Sequence, residues 1–144
     1  MQTIHATTVV LGDAGVLLRG PSGSGKSDLA LQLIDRGGVL VADDRTALQA
    51  VGGLLIASVP ATIAGRMEVR GLGVLRVRFQ PQASVRLVVD LLPADAATPV
   101  ERMPEPATAD LCGIRLRRIC LRAFESSAAA KIRLAVGLNP TDME

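Results

Sequence analysis

The run Gly20-Pro21-Ser22-Gly23-Ser24-Gly25-Lys26-Ser27 constrains this chain more than any other stretch. It fits G-x-x-x-x-G-K-[ST], the phosphate-cradling loop called Walker A. Small residues let the backbone curl tightly, so that several N–H groups point at one anionic group. A helix starting directly behind the loop adds the positive end of its dipole. In such a loop Lys26 reaches the β- and γ-phosphates of a nucleotide, and the Ser27 hydroxyl ligates Mg²⁺. The flanks carry the order this chemistry needs. Val16-Leu17-Leu18-Arg19 is a short apolar run suited to a buried strand. Leu29, Ala30, Leu33 and Ile34 recur at helical spacing, and Gly37-Gly38 supplies a stop. Strand, glycine loop and helix together weigh against a chance Gly/Ser-rich turn.

Composition narrows the setting. At 144 residues the chain is expected to be a single domain over residues 1–144, and 49% apolar residues suffice for one core. The net charge of +2 and the 1% aromatic content give no electrostatic or stacking case for nucleic acid. Arg115, Arg117, Arg118 and Arg122 form a mild cluster, read first as a solvated strand face and second as a docking site for an acidic partner or phosphate. Cys112 and Cys120 match neither a zinc pair nor C-x-x-C, and read as buried small hydrophobes in a reducing compartment. Neither a signal peptide nor an apolar run of about 18 residues is evident, so a cytoplasmic protein without a membrane span is expected.

Along the chain, His5–Leu11 and Val16–Arg19 read as strands joined by the turn Gly12-Asp13-Ala14-Gly15. Val39–Ala42 is another buried strand, ending at Asp43-Asp44. Thr46–Val51 and Leu54–Val59 flank Gly52-Gly53, a hairpin signal. Met67–Phe79 alternates in part and is broken by Gly71 and Gly73, and Val85–Leu92 is a strong apolar strand. Residues 93–109, rich in Ala and Pro, read as an irregular connection. Ile114, Leu116, Ile119 and Leu121 suggest a further strand with disturbed alternation. Ser126 or Ser127 caps a final helix to about Val136, with Gly137 closing it and Pro140 forbidding extension. No internal repeat is present. The expected class is α/β, a P-loop mixed sheet with few helices. Phe79 and Phe124, the only aromatics, are expected in the core.

Asp43-Asp44 stands at a strand end shortly after the loop helix, where a carboxylate shares the sheet end with bound phosphates. Side chains of successive strand residues point apart, so one carboxylate can face a metal and the other an acceptor. Phosphoryl transfer uses both, a held Mg²⁺ and a base for the acceptor's proton. A solvated strand terminus is the plain alternative. Glu68 and Arg70, on a glycine-broken strand, read first as an exposed cross-strand pair, and gain a functional reading only beside the other motifs. His5, the lone histidine, is either ordinary surface or a partner that orients an acidic base.

Taken in order, His5, Gly20–Ser27, Leu40-Val41-Ala42-Asp43-Asp44-Arg45 and Glu68-Val69-Arg70-Gly71-Leu72-Gly73 resemble the catalytic domain of bacterial HPr kinase/phosphorylase, in a short form without that family's N-terminal domain. The likeness runs clearly over residues 5–92. The ordered set is far more specific than the loop alone. The resemblance implies a fold like phosphoenolpyruvate carboxykinase, and phosphorylation by ATP and Mg²⁺ of a serine on HPr, a small phosphocarrier of the sugar phosphotransferase system. It implies that Lys26 and the loop amides bind nucleotide phosphates, that Ser27 and Glu68 hold Mg²⁺ with Asp43 nearby, and that Asp44 is the base with His5 as catalytic histidine. Arg70 and Gly71 belong to the segment that the family uses in both reaction directions. The family's downstream P-G-R-N segment, with its arginine, has no recognisable counterpart, and Arg118 and Arg122 are the candidates to stand in. The C-terminal segment tied to dephosphorylation is also unmatched, so kinase activity is the expectation carried over, and homo-oligomer formation is left open. Two further readings remain: a small-molecule kinase, for which residues 93–109 are the one lid candidate, and a nucleotide-sensing module without turnover.

Overall fold

Strand β2 (Ala14–Arg19) buries Val16, Leu17 and Leu18 completely, which requires cover on both of its faces. In the computed structural model, which describes residues 1–94 and 99–137, two separate cores supply that cover. Val16 and Leu18 face one cluster, shared with α1 (Lys26–Asp35) and α2 (Ala128–Gly137). Leu17 faces the other, among Leu48, Leu55, Val85 and Val88.

The second core is enclosed because two long strands each pair with more than two neighbours along their length. β1 (Gln2–Leu11) runs antiparallel to β2 through Ala6–Leu11 and to β4 (Arg45–Val51) through Gln2–His5. It also pairs with the short β3 (Val39–Ala42). From β4 the hairpin at Gly52-Gly53 leads into β5 (Leu54–Ser58). After one 3-10 turn (Ala61–Ile63) the chain forms a separate hairpin, β6 (Arg66–Val69) with β7 (Gly73–Arg76). β8 (Gln82–Leu91) then pairs antiparallel with β5 and parallel with β2, which closes the ring β2-β1-β4-β5-β8. The β2–β8 register slips between Gly15 and Val16, where Val85 and Leu87 are successive partners. That slip puts Val85 and Val88, an odd and an even position, into the same core.

β10 (Ile114–Leu121) adds to the far side of β8 in parallel, and β9 (Ala107–Leu111) borders it antiparallel. The disturbed alternation of β10 has a direct cause. Ile114 and Leu116 pack on the enclosed core, whereas Ile119 and Leu121 pack on the helix-side core. The irregular connection expected over residues 93–109 is corrected at its end. Residues 107–109 are held in β9 by β10, and residues 95–98 lie outside the described set. In α2 the Ser127 carbonyl accepts the Lys131 N–H, and Gly137 is the last helical residue. Pro140 falls outside the described residues. The two aromatics are also corrected: Phe79 and Phe124 are 38% and 56% exposed. Cys112 and Cys120 are half-buried rather than buried. The mixed sheet and, among the described residues, two α-helices agree with the expected α/β class. Among the described residues no helix is long and apolar enough to cross a membrane.

Candidate active site

Two strand ends bring the loop and the acids together. β2 delivers Gly20–Gly25 to the start of α1, and β3, one strand over across β1, delivers Asp43-Asp44 to the start of β4. Gly25 caps α1 with φ 93°, and its carbonyl accepts the Leu29 N–H at 2.9 Å. A Cβ there would lie 2.7 Å from Ala123 Cβ and 2.9 Å from Phe124 Cζ, so only glycine admits this approach. Ser24 turns inward, and its buried hydroxyl has no partner among the described residues.

Loop and acids open on one cleft of about 500 Å³, within the usual range of roughly 300–1,000 Å³ for small-molecule sites. Ser22, Gly23, Gly25, Lys26 and Ser27 contribute the loop side; His5, Asp44, Glu68, Arg70 and Gly71 contribute the opposing side. Gly20, Pro21, Ser24 and Asp43 do not line it. Lys26 is 7% exposed and donates to Gly20 O at 2.7 Å and Pro21 O at 3.0 Å. Burial holds its ammonium pKa below the ordinary lysine value, against the opposing pull of Asp44 and Asp43.

The adjacent aspartates divide their partners. Asp43 is 7% exposed and sits behind Ser27. Its Oδ1 accepts from Ser27 Oγ at 2.7 Å and from Thr7 Oγ1 at 3.1 Å, and its Oδ2 accepts the Glu68 N–H at 3.0 Å. This carboxylate therefore fixes the loop serine, β1 and β6 to one another. Asp44 points the other way, with Oδ1 2.5 Å from His5 Nε2. The divergence does not come from strand pleating, as the sequence suggested. Asp43 and Asp44 lie in a bend in which the Arg45 N–H bonds Asp43 O at 2.8 Å, and Asp44 takes φ 68°. The turn over Asp44 is a strained three-residue one.

Oxygen donors at Ser27, Asp43 and Glu68 suit a hard cation. Mg²⁺ asks the protein for only one or two carboxylates and takes the rest of its shell from phosphate and water. Among the described residues no cluster of three or more His, Cys, Asp or Glu is placed to hold a metal ion. Ser27 and Glu68 reach the cleft, while Asp43 would act through the Ser27 hydroxyl it already holds.

Arg118 and Arg122 are not at the cleft. Arg118 Nε donates to Asp90, which also receives Arg19 Nε at 2.8 Å, and Arg122 Nη1 lies 3.5 Å from Pro93 O. The solvated-face reading of the arginine cluster therefore does not hold for Arg118. Arg70 is the arginine that lines the cleft. Sequence reading missed Thr7, whose hydroxyl also accepts the Asp44 N–H at 3.1 Å. The available signal was its position two residues from His5 on one strand, which puts both on one face. It also missed Leu31 and Phe124, which line the cleft.

The family model described as HPr Serine kinase C-terminal domain matches residues 1–138. HPr kinase/phosphorylase of Bordetella pertussis is 36% identical over 129 residues, covering 83% of this chain and 42% of that protein. The Chlorobaculum tepidum protein of the same name is 36% identical over 148 residues, covering 96% of this chain and 43% of its own length. This chain thus spans about two fifths of the length of these relatives. The solved structure of the Hpr(Ser) kinase/phosphatase from Coxiella burnetii superimposes with a TM-score of 0.81 at 30% identity, covering 94% of each chain. With the family model spanning nearly the whole sequence, the chain belongs to the HPr Serine kinase C-terminal domain family.

Proposed function

We propose that this chain is an ATP- and Mg²⁺-dependent serine kinase acting on an HPr-like phosphocarrier protein. The observation that carries the reading is the division between Asp43 and Asp44: one holds the loop serine and the other meets His5, at a cleft shared with the phosphate loop. Bound Mg·ATP supplies the activated phosphoryl group and offsets charge that develops on it. The N–H groups of Ser22, Gly23 and Gly25 bind phosphate oxygens, and Lys26 adds a positive charge beside them. Ser27 and Glu68 hold the cation, with Asp43 fixing the Ser27 hydroxyl. Asp44 accepts the proton of the attacking serine hydroxyl, and His5 orients that carboxylate and shares the proton. Arg70 steadies the transferred phosphoryl group from the acid side. The proposal covers the kinase direction only.

The test is incubation of the chain with a purified HPr-like protein, ATP and Mg²⁺, followed by mass measurement of the acceptor. One added phosphate on a serine is expected, and none with Asp44→Asn. An unmodified acceptor, with ATP bound, would instead favour the sensor reading, which draws on Arg118 and Arg122 being engaged away from the cleft. The small-molecule kinase is less well supported, because the end of its one lid candidate is tied into β9.

A further inference from the structure

Phe124 is one of two aromatic residues in the chain, and it stands 56% exposed on the wall of the loop cleft. The turn that carries it is anchored on both sides by buried Ala123 and Ala128, each 1% exposed. The exposed ring is therefore held in place rather than left loose. Its Cζ and Cε2 lie 2.9 and 3.1 Å from the point where a Gly25 Cβ would stand, so the ring packs directly on the residue that opens α1. Leu31 lines the same cleft and is 37% exposed. It follows Ser27 by four residues, one turn further along the same face of α1. Phe79, the other aromatic, covers Gly65 and is not part of the cleft. Two exposed apolar side chains thus sit within about one helical turn of the phosphate loop, in a cleft whose one further apolar residue, Val69, is buried at 8% exposure.

We propose that Phe124, backed by Leu31, is the stacking surface for the nucleobase of the nucleotide whose phosphates occupy the loop. The proposal rests on the nucleotide-binding reading above and goes beyond it by naming what the far end of the ligand meets. Stacking on an aromatic ring is the interaction that every base offers, because each has a π-face. Neither Phe124 nor Leu31 carries a hydrogen-bond donor or acceptor, so this wall reads the flat face of a base and not its edge. Adenine and guanine nucleotides are therefore bound with similar affinity, and the base as such contributes to binding.

Calorimetric titration of the chain with Mg·ATP, Mg·GTP and Mg·tripolyphosphate tests this, in the wild type and in Phe124→Ala and Phe124→Trp. Phe124→Ala is expected to weaken ATP and GTP binding by about 5- to 150-fold and to leave tripolyphosphate affinity unchanged. Phe124→Trp retains ATP affinity and gives the chain its only tryptophan, whose emission responds to ATP and not to tripolyphosphate. Equal losses for ATP and tripolyphosphate in Phe124→Ala would mean that the ring only shapes the loop, and would overturn the proposal. So would unchanged ATP affinity. Failure of the wild type to bind either ATP or tripolyphosphate would instead remove the phosphate-loop reading, and this proposal with it.

Discussion

At the scale of single residues, the site depends on Asp44 holding a conformation that its Cβ disfavours. Its φ of 68° lies in the left-handed region, where an L-residue with a Cβ costs roughly 1–2 kcal/mol. That strain turns its carboxylate toward His5 while Asp43 keeps Ser27. Asp44→Gly and Asp44→Ala remove the same carboxylate, so their difference isolates the strain. The glycine variant should be the more stable by about 1 kcal/mol, read from denaturant midpoints at equal slope, and neither should transfer phosphate. An alanine variant as stable as the glycine variant would show that this turn relaxes at little cost. Lys26 is the second residue whose role is separable. Its ammonium spans two loop carbonyls, with burial opposing its charge. Removing it as Lys26→Ala should lower ATP affinity by about tenfold or more, on the scale of charge-assisted hydrogen bonds. Titration calorimetry checks this, and unchanged affinity would count against phosphate binding at the loop.

At the scale of elements, the loop and its helix were legible because their information is local. Eight consecutive residues specify the curl, and Leu29, Ala30 and Leu33 specify the buried face of α1. Gly23 and Gly25 separate two reasons for glycine in such a loop. Both have positive φ, 81° and 93°, but a Cβ on Gly23 meets nothing within 4 Å whereas one on Gly25 meets Ala123 and Phe124. Gly23→Ala should therefore cost strain alone, about 1–2 kcal/mol. Gly25→Ala should cost more and displace the Ala123–Phe124 turn, with a larger loss of ATP affinity. Equal effects from the two would mean that the turn yields freely. The elements that sequence reading missed are those whose information lies elsewhere in the chain. Ala107–Leu111 has two Ala and an Asp, poor strand formers, around a single Thr, and becomes β9 only because β10 offers an edge. Phe124 looks like a core residue by type, and only the fold shows that the β10–α2 turn leaves it on the cleft wall.

At the scale of the whole molecule, the decisive contacts are parallel pairings between distant strands, which no local pattern announces. β2 meets β8 some seventy positions later, and β8 meets β10 on its other side. Asp90 is placed where those ladders run together, aligned with Arg19 on β2 and with Cys120 on β10. Its two oxygens take Arg19 Nε at 2.8 Å and Nη2 at 3.0 Å, and Arg118 Nε as well. One carboxylate thus ties three strands at the end of β2 from which the phosphate loop departs. Burial by itself would push the Asp90 carboxyl up, but hydrogen bonds from Arg19 and Arg118 outweigh it and bring the pKa below the ordinary value of 3.8. A group whose folded pKa is depressed stabilises the fold above its unfolded pKa and loses that contribution as pH falls through the folded one. Asp90→Asn keeps the shape and discards the charge. At neutral pH it should cost about 1–3 kcal/mol, since it leaves two half-buried guanidinium groups without their acceptor charge. The gap between wild type and variant should narrow as pH drops below about 3.8, because the wild type then protonates toward the same neutral state. Urea unfolding at neutral pH and again near pH 3 measures both points. A gap of constant size across that range would mean that the three strands are held by packing along their ladders, with the Asp90 charge incidental to the joint.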